Sequence, residues 1–219
     1  MPHFLKKMKN EDISKLIAKK LLQINAIIIN AQNPFTWASG IISPIYCDNR
    51  LALSHVEVRE IITEAFEYKA EKFGKFDVIG GVATAGVPHG AILAAKMGLP
   101  FVYVRAAAKE HGKKNLIEGR LLPGQKVLLI EDLISTGGSS LKAVEAVREN
   151  GNEVMGVMAI FSYEFAAADE AFAAQQCPFA TLSSYSTLLE QALEENYITE
   201  NQLNLLKNWK KDPSNWGKV

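Results

Sequence analysis

The chain has 219 residues, 48% of them hydrophobic and 22% charged. These are the values of an ordinary globular protein, and they exclude disorder, a collagen repeat and a coiled-coil rod. Its 24 basic residues balance 24 acidic ones, so no uniformly basic surface for nucleic acid is expected. Two cysteines, Cys47 and Cys177, are too few and too far apart for a disulfide framework or a zinc knuckle. No uninterrupted apolar run reaches the ~18–20 residues needed to span a bilayer. Basic Met1–Asn10 runs into acidic, helix-like sequence instead of an apolar signal core. A cytoplasmic setting without membrane or nucleic-acid partners is expected.

In chain order, Asn10 is placed to cap a first helix with the apolar stripe Ile13, Leu16, Ile17 and Leu21. Ala26 to Ile29 is a short β-branched run. Phe35 to Arg50 mixes Pro, Ser and Gly with β-formers and reads as two short strands in a hairpin-like excursion. Ser54 and Glu57 have the spacing of a capping box, opening a helix to about Phe73. Strands are then predicted at Asp77 to Val82, Phe101 to Val104, Val127 to Ile130 and Glu153 to Phe161. Helices are predicted at Gly86 to Met97 and Gly138 to Asn150. Phe161 to Phe172 reads as a surface helix, and Thr199 with Gln202 caps a C-terminal helix bearing Trp209 and Trp216.

The central strands are nearly continuous apolar runs, as parallel strands covered on both faces must be. Their alternation with helices predicts an α/β fold: a doubly wound, mostly parallel sheet with flanking helices. Ligands in such sheets bind beyond the carboxyl ends of the strands, which directs attention to residues following Val82, Val104 and Ile130.

The segment after Ile130 carries the most chemistry. It reads Glu131-Asp132-Leu133-Ile134-Ser135-Thr136-Gly137-Gly138-Ser139-Ser140. Two carboxylates arrive at a strand tip, and a loop of hydroxyl residues and glycines then opens a helix. Glycines let a ligand approach the backbone, and a helix N-terminus offers free N–H groups. The result is a phosphate cradle. Ionised carboxylates only accept hydrogen bonds, so the acids suit sugar hydroxyls beside the phosphate. A ribose 5-phosphate site fits both halves. An acidic strand tip followed by a capped helix is the purely structural alternative. A P-loop is excluded, because Val87 and Pro88 follow Gly86 where Lys and Ser/Thr are required.

This segment, from Leu128 to Ser140, resembles the phosphoribosyl-pyrophosphate (PRPP) motif of type I phosphoribosyltransferases. Phe35 to Gly40 with Ser43 to Arg50 is similar to the base-side signature of the orotate phosphoribosyltransferase family. Gly81 to Pro88 resembles that family's pyrophosphate-side loop, and Arg105 through Lys109, His111 and Gly112 its mobile catalytic loop. The resemblance covers about residues 10–165. It implies one phosphoribosyltransferase domain over residues 1–219, with an N-terminal hood at 10–50 and a lid loop at 105–125. It also implies transfer of the 5-phosphoribosyl group from PRPP to orotate, giving orotidine 5′-phosphate and pyrophosphate in pyrimidine biosynthesis.

The resemblance assigns roles residue by residue. Ser135, Thr136, Gly137, Gly138 and Ser139, with Leu133 and Ile134 leading in, hold the 5-phosphate, and Ser135 also reaches orotate. Glu131 and Asp132 hold the ribose hydroxyls, and Asp132 stabilises positive charge developing on the ring. Backbone N–H groups of Thr84, Ala85 and Gly86 face the pyrophosphate. Arg105, Lys109 and His111 close over it from a loop with five basic residues against two acids between Arg105 and Arg120. Lys109 and Asp132 are the catalytic candidates. Mg²⁺ arrives through PRPP, without a dedicated protein site. A homodimer is implied, with the lid acting across the interface. Ala38 and Tyr163 stand where many members carry a cation, and Ala106 to Ala108 replace further charge after Arg105. Backbone N–H groups near Tyr46 and Cys47 are the substitute contacts for orotate. Two alternatives stay open: the same reaction on another base, and a PRPP-binding regulator on the same fold.

Overall fold

The computed structural model describes residues 8–37, 40–107 and 116–216. Strands β5 (Val78–Val82), β6 (Phe101–Val104), β8 (Lys126–Ile134), β9 (Glu153–Ser162) and β10 (Phe179–Ser184) form a parallel sheet. The short β7 (Ile117–Glu118) closes one edge in antiparallel pairing, in the order β10-β9-β8-β5-β6-β7. All five residues of β5 are buried, as a central strand with two covered faces requires. Side chains alternate between two cores with the pleat. Leu128 and Ile130 pack into one core together with helices α1 (Asn10–Gln23), α2 (Val56–Ala70), α6 (Tyr185–Glu194) and α7 (Glu200–Lys211). Val127 and Leu129 pack into the other, beneath α4 (Gly138–Glu149) and α5 (Ala166–Ala174).

From β5 the chain moves outward to β6, then returns to lay β8 on the opposite side of β5. The strand order therefore reverses between β5 and β8. In open α/β sheets the crevice at such a reversal is where ligands bind. Helix α3 (Gly86–Met97) leaves β5, and α4 leaves β8, so both helix N-termini rise beside that crevice.

A small cap sits over it. Strand β2 (Phe35–Thr36) pairs antiparallel with β3 (Ile42–Ser43). Strand β4 (Ile45–Cys47) instead pairs with β1 (Ile27–Ile29). The two-stranded hairpin expected over Phe35 to Arg50 is thus three strands, the third recruiting the Ile27–Ile29 run. Helix α7 clamps the cap from behind. Trp209 is fully buried and its indole N–H donates to the Ile42 carbonyl at 3.1 Å. The Thr199–Gln202 capping box at the start of α7 is present.

Several local expectations are corrected. Helix α1 begins with Asn10 itself, and its first bond runs from Ile13 N–H to the Lys9 carbonyl, so Asn10 is not the cap. Ser54 ends a 3₁₀ helix over Asn49–Ser54, and α2 starts from His55 without a side-chain cap. Glu57, the expected capping partner, pairs with Lys20 of α1 at 2.6 Å. Phe161 belongs to β9 and Tyr163 is core, so the helix starts only at Ala166. Glu164 at φ +55 turns the chain between them. It accepts hydrogen bonds from Ser186 and from Lys210 of α7. The segment after Arg105 is not free as far as Gln125, because Ile117–Glu118 pairs with β6.

Candidate active site

Strand β8 runs four residues beyond Ile130, so Glu131 and Asp132 lie within a hydrogen-bonded strand and not at its tip. That placement buries them. Glu131 is 4% exposed, and its Oε2 accepts from the hydroxyls of Ser139 and Ser140, each at 3.3 Å. Both hydroxyls stand in the first turn of α4. Burial, and then the charge of Asp132, push the Glu131 carboxyl up to about 8. Burial also raises Asp132, opposed by the positive charge of Arg50. Both shifts run upward, so this buried pair holds a proton more readily than exposed carboxylates do.

On the other side, Asn49 secures Asp132. Its side chain is fully buried, and its amide donates to the Asp132 carbonyl at 2.8 Å. Its oxygen accepts from the Cys47 thiol at 3.4 Å. Asn49 thereby ties this small cap to β8, across 83 positions of sequence.

The Ser135–Ser139 loop follows β8. Gly137 takes φ +83, and a Cβ there would sit 2.7 Å from the ring of Phe172, so both conformation and space demand glycine. Helix α4 has no side-chain cap, leaving its first N–H groups for an anion. Helix α3 is likewise uncapped. Its first residue, Gly86, lies against β8: a Cβ would clash with the Ile130 carbonyl oxygen and approach the Glu131 Cα to 3.0 Å. Only a residue without a side chain lets this second helix N-terminus crowd the acidic strand. A cis peptide joins Ala83 to Thr84 just before it.

These elements enclose a cleft of about 360 Å³ lined by Cys47, Thr84, Ala85, Leu133, Ser135 and Ser139, together with the acids. A second cleft of about 540 Å³ continues from Thr84 to Arg105 and Ala106. The Arg105 guanidinium lies 3.6 Å from Glu118, and the Arg105 backbone N–H donates to the Leu116 carbonyl at 2.8 Å. The described residues on either side of 108–115 are therefore anchored at the sheet edge.

The expected residues divide accordingly. Glu131, Asp132, Leu133, Ser135, Ser139, Thr84 and Ala85 come together in the first cleft. Thr136 is exposed at the rim and also borders a separate groove of about 900 Å³ beside α6 and α7. Ile134 is fully buried, so only its backbone can serve the loop. Lys109 and His111, like Ala38, lie outside the described residues.

On the hood, Cys47 lines the cleft but Tyr46 does not. Asp48 N–H donates to the Ala26 carbonyl and Asn30 N–H to that of Pro44. Antiparallel alternation then assigns the Tyr46 N–H to β1 and turns the Cys47 N–H away from the ladder. Trp37, a candidate to stack on a base, donates to the Ile45 carbonyl and sits 4.9 Å from Tyr163 in the aromatic core. Asn49 and Arg50 were not singled out by sequence reasoning, although both belong to the hood signature. Nothing local signals that an amide at position 49 reaches β8.

The residues lining the cleft are oxygen-rich. Among the described residues no group of three or more His, Cys, Asp and Glu side chains converges as a metal cage. Carboxylates and hydroxyls suit a magnesium ion that arrives already held by substrate phosphates.

A family model described as "Phosphoribosyl transferase domain" matches residues 51–174. The chain is 55% identical over 207 residues to an orotate phosphoribosyltransferase of Enterococcus faecalis, covering 94% of this chain and 99% of that one. It is 53% identical over 207 residues to the enzyme of that name from Listeria monocytogenes, with the same two coverages. Among solved structures, orotate phosphoribosyltransferase from Aeropyrum pernix superposes with a TM-score of 0.73 at 27% identity, covering 84% of this chain and 99% of that one. With a family domain spanning more than half of it and relatives matching nearly its whole length, the chain belongs to the phosphoribosyltransferases, and among them to the orotate phosphoribosyltransferase family.

Proposed function

We propose that the protein transfers the 5-phosphoribosyl group of PRPP to orotate, forming orotidine 5′-phosphate and releasing pyrophosphate, through the crevice between β5 and β8. The observation that carries this reading is the flanking of one buried acidic pair by two uncapped helix N-termini. A bis-anionic sugar needs such a spacing. Its 5-phosphate takes the Ser135–Ser139 loop and its diphosphate takes Thr84, Ala85 and Gly86, with the ribose between them.

The bond from the anomeric carbon to the diphosphate oxygen breaks, its electrons leaving with diphosphate, as a ring nitrogen of orotate bonds to that carbon and gives up its proton to solvent. Positive charge builds on the ribose meanwhile. Asp132 opposes it with a fixed negative charge inside a low-dielectric cleft, and Glu131 supplies the second contact to the hydroxyls. No protein nucleophile is required, so catalysis rests on positioning and electrostatics. Magnesium carried in with PRPP would offset diphosphate charge as that group departs. Arg105, with Lys109 and His111 from the lid, takes up the remainder and excludes water. Anchoring of the lid at Arg105 and β7 supports a hinged closure. A homodimer in which each lid serves the partner's site, and a cytoplasmic setting, complete the reading. No described helix is long and apolar enough to cross a membrane.

The direct test is the loss of orotate absorbance on mixing protein, PRPP and Mg²⁺, with pyrophosphate appearing in equal amount. Consumption of PRPP with purines but not orotate would contradict the proposal.

A further inference from the structure

We propose that Arg50 is the cation that receives the carboxylate of orotate and so selects it over pyrimidines lacking that group. This rests on the orotate-transfer reading above. Three acids, Asp48, Glu131 and Asp132, line the first cleft, and Arg50 is the sole cation among its described lining residues. Orotate enters as an anion. Beside those acids and the phosphates of PRPP it is repelled unless a positive group meets its carboxylate.

Tyr163, where a family cation is expected, has no such capacity. It is 2% exposed and stacks on Phe165 with ring centres 5.4 Å apart. Arg50 does have it. It is the second residue of the 3₁₀ helix over Asn49–Ser54, three residues after Cys47, whose N–H turns away from the β1–β4 ladder. Asn49, its neighbour, fixes this turn to β8 through the Asp132 carbonyl. The guanidinium grips Asp48 from Nε at 2.6 Å and from Nη2 at 2.8 Å. That uses two of its five donors, and no other described residue takes the rest. The side chain is 62% exposed. Exposed pairs of this kind contribute little, so tilting toward a second carboxylate costs little. Asp48 keeps the planar fork oriented, and the free Nη1 edge offers a carboxylate two parallel donors, a geometry that lysine lacks. Arg50 and Asp132 line the same cleft.

Steady-state kinetics of the full chain, varying orotate and PRPP separately, test this. Arg50→Ala is expected to raise KM for orotate roughly 10- to 100-fold while KM for PRPP stays within about threefold. The preference for orotate over uracil in kcat/KM should fall by a similar factor. Arg50→Lys should recover part of it. Arg50 is exposed, so an unchanged thermal melt confirms an intact fold. Unchanged orotate KM in Arg50→Ala, or a rise confined to PRPP, overturns the assignment. Failure of the unmutated protein to consume orotate would instead remove the underlying reading, and is seen before any variant is compared.

Discussion

The β8–α4 turn and the hood of β1–β4 face each other across one cleft, and they are built by opposite means. The turn is continuous in sequence: apolar strand, acids, hydroxyl loop and helix follow one another from Val127 to Ser140. Its geometry comes from local rules, namely a left-handed glycine, an uncapped helix start and pleat alternation. The hood has strands of only two or three residues, too short to stand alone. It is held from a distance, by Asn49 on Asp132, by the Trp209 indole on Ile42, and by Trp37 among the rings of Tyr163 and Trp209. The turn thus rests on a short-range motif, whereas the hood rests on tertiary contacts.

The largest effect should come from the turn. Asp132→Asn keeps the shape but removes the fixed charge opposing the cationic sugar, and turnover should fall about 100- to 1000-fold. Far-UV circular dichroism should stay unchanged. A near-normal rate would place charge stabilisation elsewhere.

A pH series sharpens the same side. The Glu131 carboxyl is held at about 8 against an ordinary value of 4.5. An acid raised on folding binds its proton more tightly in the folded state. Its stabilising contribution is complete below pH 4.5 and is lost as pH climbs to about 8. Glu131→Gln, which fixes the neutral form, should flatten that part of the unfolding free-energy curve, on the order of 5 kcal/mol across it. Urea titrations at several pH values read this directly, and parallel curves for the two proteins would refute the buried proton.

Gly86→Ala tests the close approach of α3 to β8. The added methyl meets the Ile130 carbonyl, so about 1–3 kcal/mol of stability should be lost. PRPP binding, followed by calorimetry, should weaken as the helix start is displaced. The smallest effect belongs to the hood. Trp209→Phe removes one indole hydrogen bond and should cost about 1 kcal/mol, raising KM for orotate more than KM for PRPP. Equal changes in both would show that the hood also shapes the phosphate side.

The same contrast explains what was legible in the sequence. Helix α3 and strand β6 stand within the predicted bounds, since apolar runs and glycine stops are local signals. The succession of acids, hydroxyl loop and helix start was likewise a local signal, and the structure keeps it continuous from β8 into α4. The extension of β8 to Ile134 was not, because β9 supplies its partners from outside the motif. Asn49 reads as an ordinary turn residue until β8 is beside it. Tyr163 looks like a vacant ligand position but serves as core packing. Ser54 and Glu57 match a capping box, yet the 3₁₀ turn absorbs the serine and Lys20 takes the glutamate.

The central claim is that one activated sugar spans two helix N-termini with an acidic pair between them. A crystal structure with PRPP and Mg²⁺ tests it most directly. The account predicts the 5-phosphate within hydrogen-bonding distance of the Ser135–Ser139 backbone and the diphosphate at Thr84–Gly86. The ribose hydroxyls should rest on Glu131 and Asp132. A diphosphate lodged at α4, or a ribose turned away from Asp132, would contradict it.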